Sequence, residues 1–145
     1  MNAYPDTSFL FSLYVIDANT PAARSVARKL RPAFVLTVLH ELELENAIEL
    51  AVFRGHISAP EARAARQDFE FDLNRWPLRP LPVDAFARAV TLARRHTARN
   101  GTRSLGILHV ASAICLRAET FLTFDVRQRC LARAEGLRVR PLRAG

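Results

Sequence analysis

The chain has 145 residues, half of them apolar, and carries a formal charge of +7 with a pI near 10.9. This length supports one domain with a real core and is too short for two comfortable ones. No apolar run reaches the roughly 18 residues of a membrane span, and the N-terminus lacks the basic start and cleavage-like end of a signal peptide, so a cytoplasmic protein without membrane association is expected.

Nearly all of the positive charge is arginine, Lys29 being the only lysine. Arginine's planar fork suits phosphate, which points to a polyanionic partner, although an arginine-favouring genome would leave the same composition. The stretch Tyr4-Pro5-Asp6-Thr7-Ser8-Phe9-Leu10 reads as a short strand that ends in a carboxylate and turns at once into a helix from Ser8 to Ile16. An Asp at the carboxyl end of a strand sits where open α/β sheets place ligand sites; Asp-Thr-Ser is equally an ordinary turn and N-cap. Thr20 and Pro21 then read as the N-cap and first residue of a basic helix. Arg24, Arg28, Lys29 and Arg31 form one side of it and Ala23, Val26, Ala27 and Leu30 the other, the usual division of a solvated helix.

Phe34 to Thr37 is β-favouring, and Thr37 caps a long helix from about Val38 to Arg54 that stops at Gly55. Within it Glu41, Glu45 and Glu49 stack at i, i+4 spacing into a solvated stripe. At roughly 100° per residue, Glu43 lies about 200° away. It falls among Leu39, Asn46, Ala47 and Leu50, where an unpaired carboxylate is costly, and a salt bridge to an arginine or a metal site would satisfy it.

Ser58, Pro60 and Glu61 start a second helix that continues to about Arg75, with Asp68, Glu70 and Asp72 as surface charge. Pro77 to Val83 is too proline-rich for an interior strand, so any strand there is short or at an edge. Asp84 caps a helix that ends in the cation-rich run Arg94 to Arg99 and in Asn100-Gly101. Ser104 caps another, Leu105 to about Arg117, apolar nearly all round, in which His109 reads as a hydrogen-bonded core residue. Thr120 to Phe124 is a buried strand with Asp125 at its carboxyl end, capping the helix Val126 to Ala134, and Leu137 to Arg140 alternates like a terminal edge strand. Cys115 and Cys130 lack metal-ligand spacing and read as buried thiols.

Strand–helix alternation predicts a parallel sheet covered on both faces, as one domain over residues 1–145. Asp6 and Asp125 would share its carboxyl edge, and Glu43 would reach it from the helix after the second strand. Three acids around one cleft repel each other. Mg2+ or Mn2+ would compensate, because no Cys/His cluster favours zinc.

Four stretches, Tyr4 to Leu10, Thr37 to Ala47, Leu105 to Ala113 and Phe121 to Gln128, resemble in order and spacing the four motif regions of PIN-domain ribonucleases, most of all the VapC-type toxins of bacterial toxin-antitoxin pairs. The resemblance implies a three-layer PIN-like α/β fold with a parallel sheet of about five strands between helices. It also implies an acidic site that binds Mg2+ or Mn2+ and hydrolyses RNA phosphodiesters. Carried over residue by residue, Asp6, Glu43 and Asp125 match the metal-site acids, with Glu41 as the alternative to Glu43 if the register shifts, and Thr7, Ser8 and Asn46 are supporting polar groups. Gly106 stands where such ribonucleases usually carry Asp. One of four acids is therefore missing, and an impaired enzyme is expected.

Arg94, Arg95, Arg99, Arg103 and Arg127 are the RNA-backbone candidates nearest the motifs in sequence. A cognate antitoxin and a homodimer are the protein partners that the resemblance implies. The competing expectation is an inactive PIN-fold module that captures RNA or its antitoxin. A phosphoacceptor receiver domain is disfavoured because Lys29, the only lysine, lies in the basic helix.

Overall fold

Four parallel strands in the order β2-β1-β3-β4 form the central sheet of the computed structural model, which describes residues 1–142: β1 (Asn2–Pro5), β2 (Ala33–Phe34), β3 (Thr120–Leu122) and β4 (Arg138–Arg140). The helices are α1 (Thr7–Tyr14), α2 (Thr20–Leu30), α3 (Val38–Phe53), α4 (Ala59–Asp72), α5 (Ala85–Leu92), α6 (Ala98–Asn100), α7 (Ser104–Cys115) and α8 (Val126–Ala134), with a π turn, Ala93–Thr97, between α5 and α6. Alternation along the strands sends side chains to two separate cores. Ala3 and Leu122 join Phe9, Leu44, Ile48 and Phe69 on the side of α1, α3 and α4. Tyr4, Phe121 and Val139 join Leu92, Val110 and Leu131 on the side of α5, α7 and α8. Complete burial of a side chain such as Phe9, Ile48 or Phe121 contributes about 1.5–3 kcal/mol. This is the expected three-layer α/β architecture.

The sheet has four strands among the described residues where about five were expected. Thr37 and Arg79 form only an isolated parallel bridge, through Arg79 N–H to Leu36 O at 2.9 Å and Val38 N–H to Arg79 O at 3.0 Å. Pro77, Pro80 and Pro82 remove the donors that would extend it. Pro5 marks the end of the β1–β2 ladder: Val35 N–H donates to Ala3 O at 2.9 Å, but Pro5 has no N–H to return to Val35 O.

Several caps differ from expectation. Thr20 is the first residue of α2, and its hydroxyl turns inward to Ser12 O at 2.7 Å. Ser104 is the first residue of α7, after Arg103, and neither Asp84 nor Arg103 makes a side-chain cap bond. Ser58 and Glu61 do form the expected capping box. The acidic stripe on α3 is exposed but not merely solvated, since Arg66 of α4 binds both Glu45 and Glu49. Asp72 is likewise more than surface charge, accepting the Tyr14 hydroxyl at 2.7 Å. Cys130 is exposed and Cys115 half-buried, where two buried thiols were expected; α8 turns that flank to solvent. No helix of the described residues is long and apolar enough to cross a membrane.

Candidate functional site

At the carboxyl edge of the sheet, Asp6 follows β1 directly and Asp125 opens α8 just beyond β3. Asp6 is fully buried and caps α1: Oδ1 accepts Phe9 N–H at 2.9 Å and the Ser8 hydroxyl at 2.7 Å, and Oδ2 accepts the Thr123 hydroxyl at 2.6 Å. Ser8 Oγ in turn accepts Phe124 N–H at 3.1 Å, and Thr123 Oγ1 accepts Asp125 N–H at 2.9 Å. Asp6 thus clamps the ends of β1 and β3 together. Burial pushes its carboxyl above the usual value, against the pull of its three donors. Beneath this clamp the buried guanidinium of Arg129 donates to Thr123 O at 2.8 Å, a compensating charge that the arginine-rich pattern of α8 concealed.

Glu43 projects from the second turn of α3 and is half-buried. Its Oε1 accepts the Thr7 hydroxyl at 2.9 Å and is bonded to Nε2 of His109. Burial opposes its charge, but the bonds from His109 and Thr7 outweigh that and hold its carboxyl below the usual range. The arginine weighed as its partner is replaced by this histidine. His109 is the buried, hydrogen-bonded residue that was expected, yet its partner belongs to the site. Its Nδ1 meets the Tyr4 hydroxyl at 2.8 Å. A second buried histidine, His40, takes the third position of α3. It accepts Thr37 N–H on Nδ1 at 2.8 Å and donates from Nε2 to Pro5 O at 2.7 Å, locking the start of α3 to the end of β1.

Above these residues opens a cleft of about 820 Å3 whose lining includes Glu43, Asp125, Arg103, Arg127, Gly106 and Gln128. Asp125 is exposed; its Oδ1 caps α8 through Gln128 N–H at 2.8 Å. Gly106 sits in the first turn of α7, and a Cβ built there would lie 3.0 Å from Cγ of Gln128 and 3.2 Å from Cγ2 of Thr102. The Gln128 side chain therefore fills the space beside the position where the fourth acid was expected. Its Oε1 is buried with no hydrogen-bond partner among the described residues.

Arg103 and Arg127 reach the cleft. Arg94, Arg95 and Arg99 do not line it, and Arg95 is committed to Glu135 at 3.1 Å. Thr7 and Ser8 support Glu43 and Asp6 respectively, whereas Asn46 is exposed and outside the cleft lining. Glu41 is also exposed and outside it.

Among the described residues, no group of three or more His, Cys, Asp or Glu side chains is placed to hold a metal ion by itself. The donors that do face the cleft are hard carboxylate oxygens. They suit a Mg2+ or Mn2+ ion held by one or two carboxylates, with water and a substrate phosphate completing its shell.

Residues 3–134 match the PIN domain family. Among solved structures, VapBC2 from Rickettsia felis, bound to a DNA fragment from their promoter, aligns over 96% of this chain and 97% of that chain, with 14% identity and a TM-score of 0.65. FitAcB from Neisseria gonorrhoeae aligns over 94% of this chain and 95% of that chain, with 14% identity and a TM-score of 0.68. At that identity the likeness is one of fold. Comparison with curated proteins finds no match.

Proposed function

The chain belongs to the PIN domain family, and from that premise we propose that it is a VapC-type endoribonuclease of a toxin-antitoxin pair, attenuated by Gly106. The observation that carries this reading is the common cleft: two carboxylates, Glu43 and Asp125, face the same space as two arginines, Arg103 and Arg127. Arginine forks match phosphate oxygens, so Arg103 and Arg127 would seat the RNA backbone while the two acids meet the scissile phosphodiester from the other side. Glu43 and Asp125 would hold the divalent cation, with Asp6 beneath them fixing the strand ends. When bound, such a cation supplies Lewis acidity and neutralises charge at the phosphate. Glu43 stays ionised because His109 and Thr7 both bond to Oε1, leaving Oε2 to face the reacting groups.

Hydrolysis is weak on this reading, because Gly106 contributes no charge and Gln128 occupies the neighbouring space. The same feature favours a second reading, a PIN-fold module that binds RNA or its antitoxin without cleaving. A cognate antitoxin and a homodimer form part of the proposal on the strength of the family resemblance, as does a cytoplasmic setting.

Cleavage of a mixed RNA pool in Mg2+ or Mn2+ separates the two readings. The unmodified chain should cleave slowly. Gly106→Asp combined with Gln128→Ala, which clears the crowded position, should cleave faster, and adding Asp6→Asn should abolish the gain. RNA binding by all three proteins without any cleavage would replace the nuclease with the binding module.

A further inference from the structure

Glu43 is held from behind by side chains, and that grip continues into the core. Tyr4 lies on β1 with no exposure, its ring stacked on Phe121 at 5.7 Å. His109, 1% exposed, lies in the second turn of α7, with its ring 5.6 Å from that of Tyr4 and 5.1 Å from that of His40. The Tyr4 hydroxyl meets Nδ1 of His109, and Nε2 meets Oε1 of Glu43. An ionised carboxylate only accepts hydrogen bonds, so Nε2 carries the proton. In the neutral ring Nδ1 is then the acceptor, and the Tyr4 hydroxyl at 2.8 Å donates to it. One sequence of donors runs through the cluster: Tyr4 O–H to Nδ1, Nε2–H to Oε1, and Thr7 O–H to the same Oε1, with Thr7 Oγ1 also 3.3 Å from Nε2.

We infer that Tyr4 and His109 are positioning residues, in which the Tyr4 hydroxyl fixes the Nε2–H tautomer of His109 and His109 fixes Glu43 with Oε2 turned to the cleft. This inference rests on the nuclease reading for what Glu43 does there, but the hydrogen-bond relay stands on the geometry alone. Partners one bond behind a metal-ligating side chain set its orientation and basicity, and their loss typically costs about 10–100-fold in metal affinity.

Two measurements on the full chain test it. Long-range 1H–15N correlations of the His109 ring near neutral pH should show a protonated Nε2 and a bare, hydrogen-bonded Nδ1, and in Tyr4→Phe the Nδ1 resonance should move toward that of an unbonded imidazole nitrogen. A protonated Nδ1 in the unmodified chain overturns the relay. Mn2+ affinity, read by electron paramagnetic resonance in the presence of single-stranded RNA, should fall about tenfold or more in His109→Leu. It should be largely retained in His109→Gln, whose amide can still donate to Oε1. Equal Mn2+ affinity for the unmodified chain and His109→Leu overturns the positioning role. If the unmodified chain binds no Mn2+ while the nitrogen signature is present, the metal-site reading fails and the relay survives it.

Discussion

Acidification should unfold this protein through His40 before its carboxylates titrate fully. The imidazole is completely buried, accepting from Thr37 N–H on one nitrogen and donating to Pro5 O from the other. Burial, with the neighbouring His109 as a smaller contribution, lowers it to about 3. In the unfolded chain it titrates near 6.5. Its folded value is therefore depressed: the stability it contributes is present above about pH 6.5 and is lost as the pH falls from there toward 3. At pH 5 the unfolded chain has taken up the proton and the folded one has not, which amounts to about 2 kcal/mol relative to pH 7.5.

His40→Gln isolates this effect, since a Gln in the third helical position can keep the capping-box bond to Thr37 N–H and does not titrate. Urea unfolding at pH 7.5, 6 and 5 can be followed by Trp76, the only tryptophan, which packs on Phe34 at 4.7 Å. The unmodified chain should lose about 2 kcal/mol more than the variant over that interval. Parallel losses in the two proteins would refute the reasoning. Protonation takes away the Nδ1 acceptor that Thr37 N–H uses, and with it the capping box of α3, while the Nε2–H bond to Pro5 O survives.

The remaining predictions concern the site and its scaffold. Asp6 has a raised folded value, so the stability it contributes is present below its unfolded value near 3.9 and is lost as the pH rises through the folded one; at neutral pH the ionised group is a cost. Asp6→Asn removes that cost but also an acceptor oxygen of the clamp and the charge opposite the buried Arg129, a loss that outweighs it; the variant should have a lower melting temperature at pH 7 and lower cleavage, and a variant more stable than the parent contradicts this. Arg103→Ala and Arg127→Ala should each reduce the slope of log K against log salt for single-stranded RNA by about 0.7, whereas Arg95→Ala, removing a partner of Glu135, should leave it unchanged. Tyr14→Phe deletes the bond from α1 to Asp72 of α4 and should cost about 1.5 kcal/mol, read as a shift in urea midpoint at constant m.

The acids were legible in the sequence because local rules place them. Asp6 and Asp125 both cap the helices they precede, as their positions after β-favouring runs suggest, and helical phase separates the half-buried Glu43 from the exposed Glu41, Glu45 and Glu49. What escaped are partners that only packing decides. α7 is buried from Gly106 to Ala113, so its pattern has no preferred face and gives no hint that His109 meets Glu43. His40 hides in a helix position where Glu or Gln is the usual capping residue. Arg129 sits in a helix with Arg127 and Arg133 that reads as surface, yet it is buried under Thr123. The fifth strand fails for a reason visible in advance, the prolines of Pro77 to Val83, which proved decisive over the family expectation.

The most direct measurement is the affinity of a fluorescently labelled single-stranded RNA for the full chain, in Mn2+ and in EDTA, beside the double variant Glu43→Gln, Asp125→Asn. If the two carboxylates hold a cation against the phosphate, Mn2+ strengthens binding by the unmodified chain several-fold, and the variant, relieved of two charges, binds equally well in both buffers. Equal binding by the unmodified chain with and without Mn2+, or the same Mn2+ gain in the variant, would contradict the account.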